Sequence, residues 1–163
     1  MNTTITIQPY STDYQKQVIA LILHIQQKEF QISISEEDQP DLYRIPEIYQ
    51  SGKGNFWIAK VDQQVIGTIG LLDIGNNELA LRKMFVDETY RGKTFQVAST
   101  LLQQAMQWSK DQCIQRIFLG TTAQFLAAHR FYEKNRFEKI SEKDLPESFP
   151  VMKVDTFFYR LDL

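Results

Sequence analysis

The sequence predicts a single-domain α/β protein of the α+β kind. We expect a central mixed, mostly antiparallel, twisted sheet with one bulged and splayed strand and with helices on both faces. Three observations support this prediction. Strand-like segments flank amphipathic helical segments. In one strand-like segment the alternation of apolar and polar residues shifts by one residue. No linker or repeat divides the 163 residues. A chain of this length can bury well over half of its unfolded surface, so we expect residues 1–163 to form one domain.

The composition excludes several classes of function. Hydrophobic residues make up 43% of the chain and charged residues 23%, which is typical of a globular protein. The net charge of −2 offers no basic face for nucleic acid, and no apolar stretch is long enough to span a membrane. Cys113 is the only cysteine, and we interpret His24 as partly buried and His129 as a surface residue, so we expect no metal site. These features predict a cytoplasmic protein without nucleic-acid or membrane partners, and they leave a homodimer open.

The amino-terminal half contains the patterns of a strand, a helix and a hairpin. Pro9 ends the first alternating segment, and Asp13 can cap a helix whose apolar residues recur at steps of three and four as far as Phe30. Two later alternating segments flank a turn at Asp62 and Gln63, which predicts a β-hairpin. The predicted elements are a strand at 4–8, a helix at 13–30, an acidic segment at 36–41, a helical turn at 45–49, and strands at 55–61 and 65–72.

The carboxyl-terminal half alternates strand and helix. Apolar residues before and after Arg82 and Lys83 lie on opposite parities of one strand, which indicates a β-bulge that splays this strand from a neighbour. The strand after the next helix is then parallel to it, and ligands bind where such strands diverge. The predicted elements are a strand at 78–86, a helix at about 95–110, a strand at 117–119, a helix at about 124–134, and strands at 137–140 and 153–161.

The turn between the bulged strand and the following helix has the chemistry of an anion site. Arg91 and Lys93 supply positive charge, and Gly92 allows the backbone to curve. The first amides of the helix are free to donate hydrogen bonds, so a diphosphate fits here. A basic turn that only caps the helix is an equally good interpretation of this segment alone.

Two segments, LRKMFVDETYRGKTFQVASTLL and FLGTTAQFLAAHRFYEKNRF, resemble the acetyl-CoA-binding core of the GNAT superfamily. The resemblance covers about residues 78–137. It implies a GNAT-like fold and an N-acetyltransferase that uses acetyl-CoA as cosubstrate and acetylates a primary amine of a small molecule or peptide directly. In that family the bulged strand pairs with the pantetheine arm, and the basic turn holds the pyrophosphate. The implied cofactor-binding positions are Met84, Phe85, Val86, Arg91, Gly92, Lys93, Thr94, Phe95, Gln96, Val97, Phe125 and Ala128.

The resemblance also implies catalytic roles. Tyr132 ends the family's Ala-x-x-Phe-Tyr pattern, and its protonated phenol can donate to a leaving thiolate, although helical spacing alone favours a core tyrosine. Glu78 lies near the strand position where some members place a glutamate base, and an exposed strand-end glutamate is the alternative. A backbone amide near Phe85 or Val86 would polarise the carbonyl. We further expect a cationic acceptor, attracted by the carboxylates of residues 36–41 and by Glu78.

Several departures from the family pattern leave a second function open. Thr94 and Gln96 stand where the family usually has glycines, and Phe125 occupies the place of a frequent asparagine. Arg136 replaces a glycine, so we expect it to adopt left-handed geometry unless Asn135 does so instead. The alternative is a catalytically degraded acyl-CoA-binding or regulatory module of the same fold. A third possibility is a nucleotide-binding protein of another α/β fold. The chain lacks the glycine-rich strand-to-helix fingerprint expected of such a site.

Overall fold

The computed structural model describes residues 3–163. Its helices and strands are β1 Ile5–Pro9, α1 Gln15–Leu23, α2 Ile45–Ile48, β2 Asn55–Val61, β3 Gln64–Asp73, β4 Glu78–Val86, α3 Val97–Asp111, β5 Arg116–Thr121, α4 Leu126–Lys134, β6 Glu138–Ile140 and β7 Phe157–Asp162. The strands form one sheet in the order β1-β2-β3-β4-β5-β7-β6. Only β4 and β5 pair in parallel within the described residues. The predicted mixed, mostly antiparallel sheet and its β2–β3 hairpin are confirmed.

Helices cover both faces of the sheet and bury a separate core on each. On one face α3 and α4 pack against the strands through Leu101, Leu102 and Tyr132. On the other face α1 and α2 bury Ile22 and Ile45. Each fully buried side chain of this kind stabilises the fold by about 1.5–3 kcal/mol. None of the helices in residues 3–163 is both long and apolar enough to cross a membrane.

The first helix is shorter and less regular than predicted. Asp13 lies in a 3-10 turn, Thr12–Tyr14, and α1 ends at Leu23. A π-helical segment, His24–Glu29, continues the chain. Ile25 and Gln26 of this segment are both buried.

The predicted β-bulge is present in β4. Thr68 of β3 lies opposite Phe85, but Gly70 lies opposite Arg82, so two residues of β4 face one residue of β3. Lys83 has a φ of 56°, in the left-handed region. The bulge therefore falls at the position where the alternation of apolar residues slips.

β4 and β5 separate soon after they begin. Leu79 lies opposite Ile117 and Ala80 opposite Phe118, and the pairing ends there although both strands continue. The backbone of β4 beyond Ala80 therefore has no strand partner on this side, and a gap opens between the carboxyl ends of the two strands.

Two substituted glycine positions of the family pattern are left-handed here. Gln96, which precedes α3, has a φ of 50°, and Arg136, which follows α4, has a φ of 73°. Asn135 has a φ of −96°, so it does not take the left-handed position in place of Arg136. Left-handed geometry costs a residue with a side chain about 1–2 kcal/mol, so both positions are strained.

Candidate active site

A cavity of about 840 Å³ opens in the gap between β4 and β5. Its walls come from β4, the turn after it, the first turns of α3 and α4, the π-helical segment, and the chain between β6 and β7. The charged lining is strongly basic. Among the described residues it comprises the cations Arg82, Lys83, Arg91, Lys93 and Lys134 and a single carboxylate, Asp155.

One end of the cavity is built to receive an anion. Ala98 and Ser99, in the first turn of α3, line the cavity. The first amides of a helix have no acceptor within the helix, and the side chain of Gln96 at the start of α3 does not cap them. Arg91 and Lys93 line the same end. Free amides, the helix dipole and two cations together favour a phosphate group.

Arg91 also ties this turn to the π-helical segment. Its two terminal nitrogens contact the Glu29 carboxylate, with Nη2 at 2.7 Å from Oε1. Its Nε donates to the Val86 carbonyl at 2.9 Å, and the guanidinium lies 5.7 Å from the centre of the Phe30 ring. Part of its charge is therefore balanced by Glu29, whereas Lys93 forms no salt bridge with any residue that the structure describes.

Tyr132 reaches the cavity from α4. Its side chain is buried, its hydroxyl forms no hydrogen bond within residues 3–163, and it lines the cavity. Burial raises the pKa of Tyr132 well above its ordinary value, so the phenol is protonated at neutral pH. The neighbouring Tyr159 differs, because its hydroxyl donates to Glu133 at 2.7 Å. The hydroxyl of Tyr132 is thus a hydrogen-bond donor without an acceptor at the cavity wall.

Most of the cofactor positions implied by the resemblance lie together. Phe125 contacts the rings of Phe30 and Phe85, at centroid distances of 4.9 and 6.0 Å. Phe95 packs on Tyr90 instead of lining the cavity. The positions at the cavity are Met84, Phe85, Val86, Arg91, Gly92, Lys93, Gln96, Phe125 and Ala128, whereas Thr94, Phe95 and Val97 are not among its lining residues.

Glu78 is not brought to the cavity. It begins β4, at the opposite end of the strand from Val86, and the β4 residues that line the cavity start at Leu81. Its carboxylate Oε2 lies 3.4 Å from Nη1 of Arg116 on β5. The structure therefore places Tyr132 at the gap and Glu78 away from it.

None of the carboxylates of the acidic segment is among the residues that line the cavity. Asp38 is 2.8 Å from Lys153, which holds the pKa of Asp38 at about 2. Asp41 is buried and accepts a hydrogen bond from Tyr49 at 2.6 Å. Glu36 accepts from Tyr43. Glu37 is exposed and also lies outside the cavity lining, so the segment contributes no carboxylate to this site.

Both histidine interpretations were wrong. His24 is exposed. His129 is buried against the Phe157 ring of β7, at 4.8 Å, and its Nε2 lies 2.9 Å from the Thr122 carbonyl oxygen. Residues 3–163 contain no cluster of three His, Cys, Asp or Glu side chains that could hold a metal ion.

Sequence reasoning missed three charged residues at the other end of the cavity, namely Arg82, Lys83 and Asp155. The change of parity along β4 located Arg82 and Lys83 at a β-bulge, but it did not indicate that their side chains have a role at the site. Lys83 Nζ donates to Gln39 Oε1 at 2.5 Å and lies 3.7 Å from Asp41. No local pattern marked Asp155, which lies in the irregular chain before β7.

Comparisons with known proteins agree with this architecture. Residues 19–137 match the acetyltransferase (GNAT) family. The crystal structure of a GNAT-family acetyltransferase from Staphylococcus aureus Mu50 is 42% identical, covers 98% of this chain and 99% of its own, and superposes with a TM-score of 0.95. The PaiA N-acetyltransferase from Thermoplasma acidophilum, solved in complex with coenzyme A, shares the fold at 20% identity, with a TM-score of 0.74 and coverage of 98% and 99%.

A curated relative matches over a shorter region. N-acetylaspartate synthetase from Xenopus tropicalis is 34% identical over 104 residues, which is 61% of this chain and 37% of that protein. The chain therefore spans little more than a third of this relative's length. The family match, the splayed β4 and the basic turn before α3 lead to one conclusion: this chain belongs to the acetyltransferase (GNAT) family.

Proposed function

We propose that this protein is an acetyl-CoA-dependent N-acetyltransferase that transfers the acetyl group directly to a primary amine of a small molecule or peptide. The observation that carries the proposal is the composition of one cavity. An uncapped helix start with two cations lies at one end, and the unbonded phenol of Tyr132 lies on the wall. These are the groups needed to hold a diphosphate and to protonate a leaving thiolate.

The donor would lie along the gap between β4 and β5. The first-turn amides of α3, with Arg91 and Lys93, fit its diphosphate. Because pairing with β5 ends at Ala80, the β4 backbone from Met84 to Val86 is free to pair with an amide-containing arm. The Thermoplasma acidophilum relative was solved with coenzyme A, which supports a coenzyme A donor here.

The chemistry requires three tasks of the side chains and backbone. The amine nitrogen forms a C–N bond with the thioester carbon, the C–S bond breaks, and the sulfur leaves with the electron pair. Tyr132 donates its proton to that sulfur and regains a proton lost from the nitrogen. A β4 amide near Phe85 or Val86 polarises the carbonyl. Since Glu78 lies elsewhere, Asp155 is the carboxylate placed to accept the first proton of the ammonium.

A noncatalytic acyl-CoA-binding module is the competing function. It is favoured by the strained Gln96 at the helix start and by the pairing of Arg91 with Glu29, because both features oppose close approach of a diphosphate. The free phenol of Tyr132 favours catalysis, since a binding module has no use for an unbonded proton donor at that wall.

Calorimetric titration followed by an acceptor screen tests the proposal. We expect acetyl-CoA and coenzyme A to bind and ATP not to compete, and we expect an Arg91→Ala variant to bind acetyl-CoA at least about tenfold more weakly. Arg130→Ala is the matched control, because Arg130 is exposed and does not line the cavity. Amino acids belong in the amine panel, since N-acetylaspartate is the product named for the Xenopus tropicalis relative. Tight acetyl-CoA binding without thiol release for any amine would favour the binding module.

A further inference from the structure

The charge around the cavity points to the chemistry of the acceptor. Arg91 and Lys93 belong to the end assigned to the diphosphate, which leaves Arg82, Lys83 and Asp155 at the other end. Buried or half-buried charges are costly unless something pairs with them. How these three groups are already paired therefore shows which charges a ligand is left to satisfy.

Two consecutive cations, Arg82 and Lys83, lie at the bulge of β4. Both line the cavity, as do all the residues of β4 from Leu81 to Val86. Arg82 contacts Met152 from the chain before β7, and Lys83 contacts Gln39 from the chain after α1. The same irregularity that opens the gap therefore concentrates positive charge within it.

These two cations are satisfied to different degrees. Lys83 is only 8% exposed and is held by Gln39 and by the buried carboxylate of Asp41. Arg82 forms no salt bridge within residues 3–163, and the hydrogen bond of its Nη2 goes to the Met152 sulfur at 2.8 Å. A thioether is a weak acceptor, so the planar donor fork of Arg82 lacks a strong partner.

Asp155 faces the same space from the β5 side. Its Oδ2 accepts a hydrogen bond from the Met152 amide at 3.0 Å. The same oxygen lies so close to Gly120 of β5 that a Cβ at this position would be only 2.7 Å from it. Burial raises the pKa of Asp155 above its ordinary value, although the Met152 amide and the charges of Arg82 and Lys83 act to lower it. The charge of Arg82 attracts Asp155, but no salt bridge joins the two side chains among the described residues, so a guanidinium and a carboxylate line one cavity without direct contact.

We infer that the acceptor is a compact zwitterion, a primary amine close to a carboxylate such as a free amino acid. Its carboxylate binds the Arg82 guanidinium, with Lys83 adding positive charge behind it, and its ammonium binds Asp155. This inference rests on the proposed function and names the substrate class of the same site. It replaces the expectation of a purely cationic acceptor, because the acidic segment at residues 36–41 contributes no carboxylate to the cavity.

The inference excludes two other kinds of acceptor. A polyamine would place a second ammonium beside two fixed cations, and like charges at close range are repulsive. The amino terminus of a peptide has an amide where a free amino acid has its carboxylate, so it would leave the Arg82 fork without a charged partner. Both should be poor substrates compared with the corresponding free amino acid.

The test uses matched acceptors and two independent readouts. The common L-amino acids are each compared with their carboxamides and with the corresponding decarboxylated amines. Thiol release from acetyl-CoA measures transfer, and calorimetry with coenzyme A-saturated protein measures acceptor binding. For the best amino acid we expect kcat/KM at least about tenfold above that of its carboxamide, as for the loss of one charge-assisted hydrogen bond.

Variants assign the effect to residues. Arg82→Gln should weaken binding of the amino acid by about 10- to 100-fold and leave binding of the decarboxylated amine and of coenzyme A unchanged. Arg82→Lys keeps the charge and loses the planar donor fork, so its affinity for the amino acid should lie between those of the parent and of Arg82→Gln. The Lys variant replaces the Gln variant in this test if the latter does not fold. Arg44→Gln is the control, because Arg44 is exposed and lies outside the cavity.

The outcomes separate the two proposals. Transfer to decarboxylated amines or polyamines at least as fast as to amino acids, or a preference for amino acids that survives Arg82→Gln, would overturn the inference and leave the acetyltransferase intact. Binding of amino acids that depends on Arg82, without transfer, would support the inference and overturn the proposed function. No binding of any amino acid to the coenzyme A-saturated protein would overturn the inference directly.

Discussion

Replacing Tyr132 with phenylalanine separates its chemical role from a packing role. The substitution keeps the ring, which lies 5.6 Å from the Phe137 ring and 6.0 Å from that of Tyr159. It removes a hydroxyl that forms no hydrogen bond within the described residues. We therefore expect the free energy of unfolding to change by less than about 0.5 kcal/mol, because no hydrogen bond is lost.

The same substitution should slow acetyl transfer strongly. A positioned proton donor contributes at least about 10²-fold to the rate, which corresponds to about 2.7 kcal/mol of activation free energy. Rapid-quench single-turnover measurements report this step without interference from product release. Affinity for acetyl-CoA should be unchanged, because the hydroxyl acts on the leaving sulfur.

Tyr159→Phe provides the matched control. Its hydroxyl donates to Glu133 at 2.7 Å, so its loss should lower stability by about 1 kcal/mol and leave the single-turnover rate unchanged. A folded Tyr132→Phe variant that binds acetyl-CoA normally and turns over at the parental single-turnover rate would refute the donor role. Tyr132 would then be a packing residue, and the proton would come from water or another group.

Three further predictions concern the fold. Arg136→Gly should raise stability by about 1 kcal/mol in denaturant titrations, because glycine adopts the φ of 73° without strain, and an unchanged or lower midpoint would contradict this. Gly54→Ala should lower stability by about 2 kcal/mol or more, because a Cβ there would lie 2.4 Å from the carbonyl oxygens of Tyr49 and Leu71; a neutral effect would be inconsistent with that packing. Burial lowers the pKa of Lys83 from 10.5 to about 8, so the unfolded chain binds more protons between these values. The unfolding free energy of the parent relative to Lys83→Met should therefore rise with pH across this window, and a flat difference would argue against a desolvated Lys83.

The parts of the fold that follow from local patterns could be predicted. The bulge is one example, because the change of parity around Arg82 and Lys83 is a property of neighbouring residues in one strand. The parallel pairing of β4 with β5 follows from the helix between them and the handedness of such crossovers. The resemblance to the family added Tyr132, which helical spacing alone would have assigned to the core.

The features that could not be predicted depend on distant parts of the chain. Asp155 reaches the cavity because the chain before β7 is held to the end of β5, where the Thr156 amide donates to the Thr121 carbonyl at 3.0 Å. His129 is buried because β7 places Phe157 beside it. Glu78 has an appropriate residue type on the bulged strand, but the gap opens at the opposite end of β4. The positions of such residues depend on which distant segments pack against their element, and the sequence of one element does not specify these neighbours.

The most direct test of the proposed acetyl transfer is mass analysis of the products of a rapidly quenched reaction. The protein is mixed with acetyl-CoA and a mixture of L-amino acids and their carboxamides, and thiol, acetylated amines and intact protein are measured together. Direct transfer at the β4–β5 gap predicts one N-acetylated amine for each thiol released and no acetylated protein at any time. Thiol release without an acetylated amine, or an acetyl group that accumulates on the protein first, would contradict it.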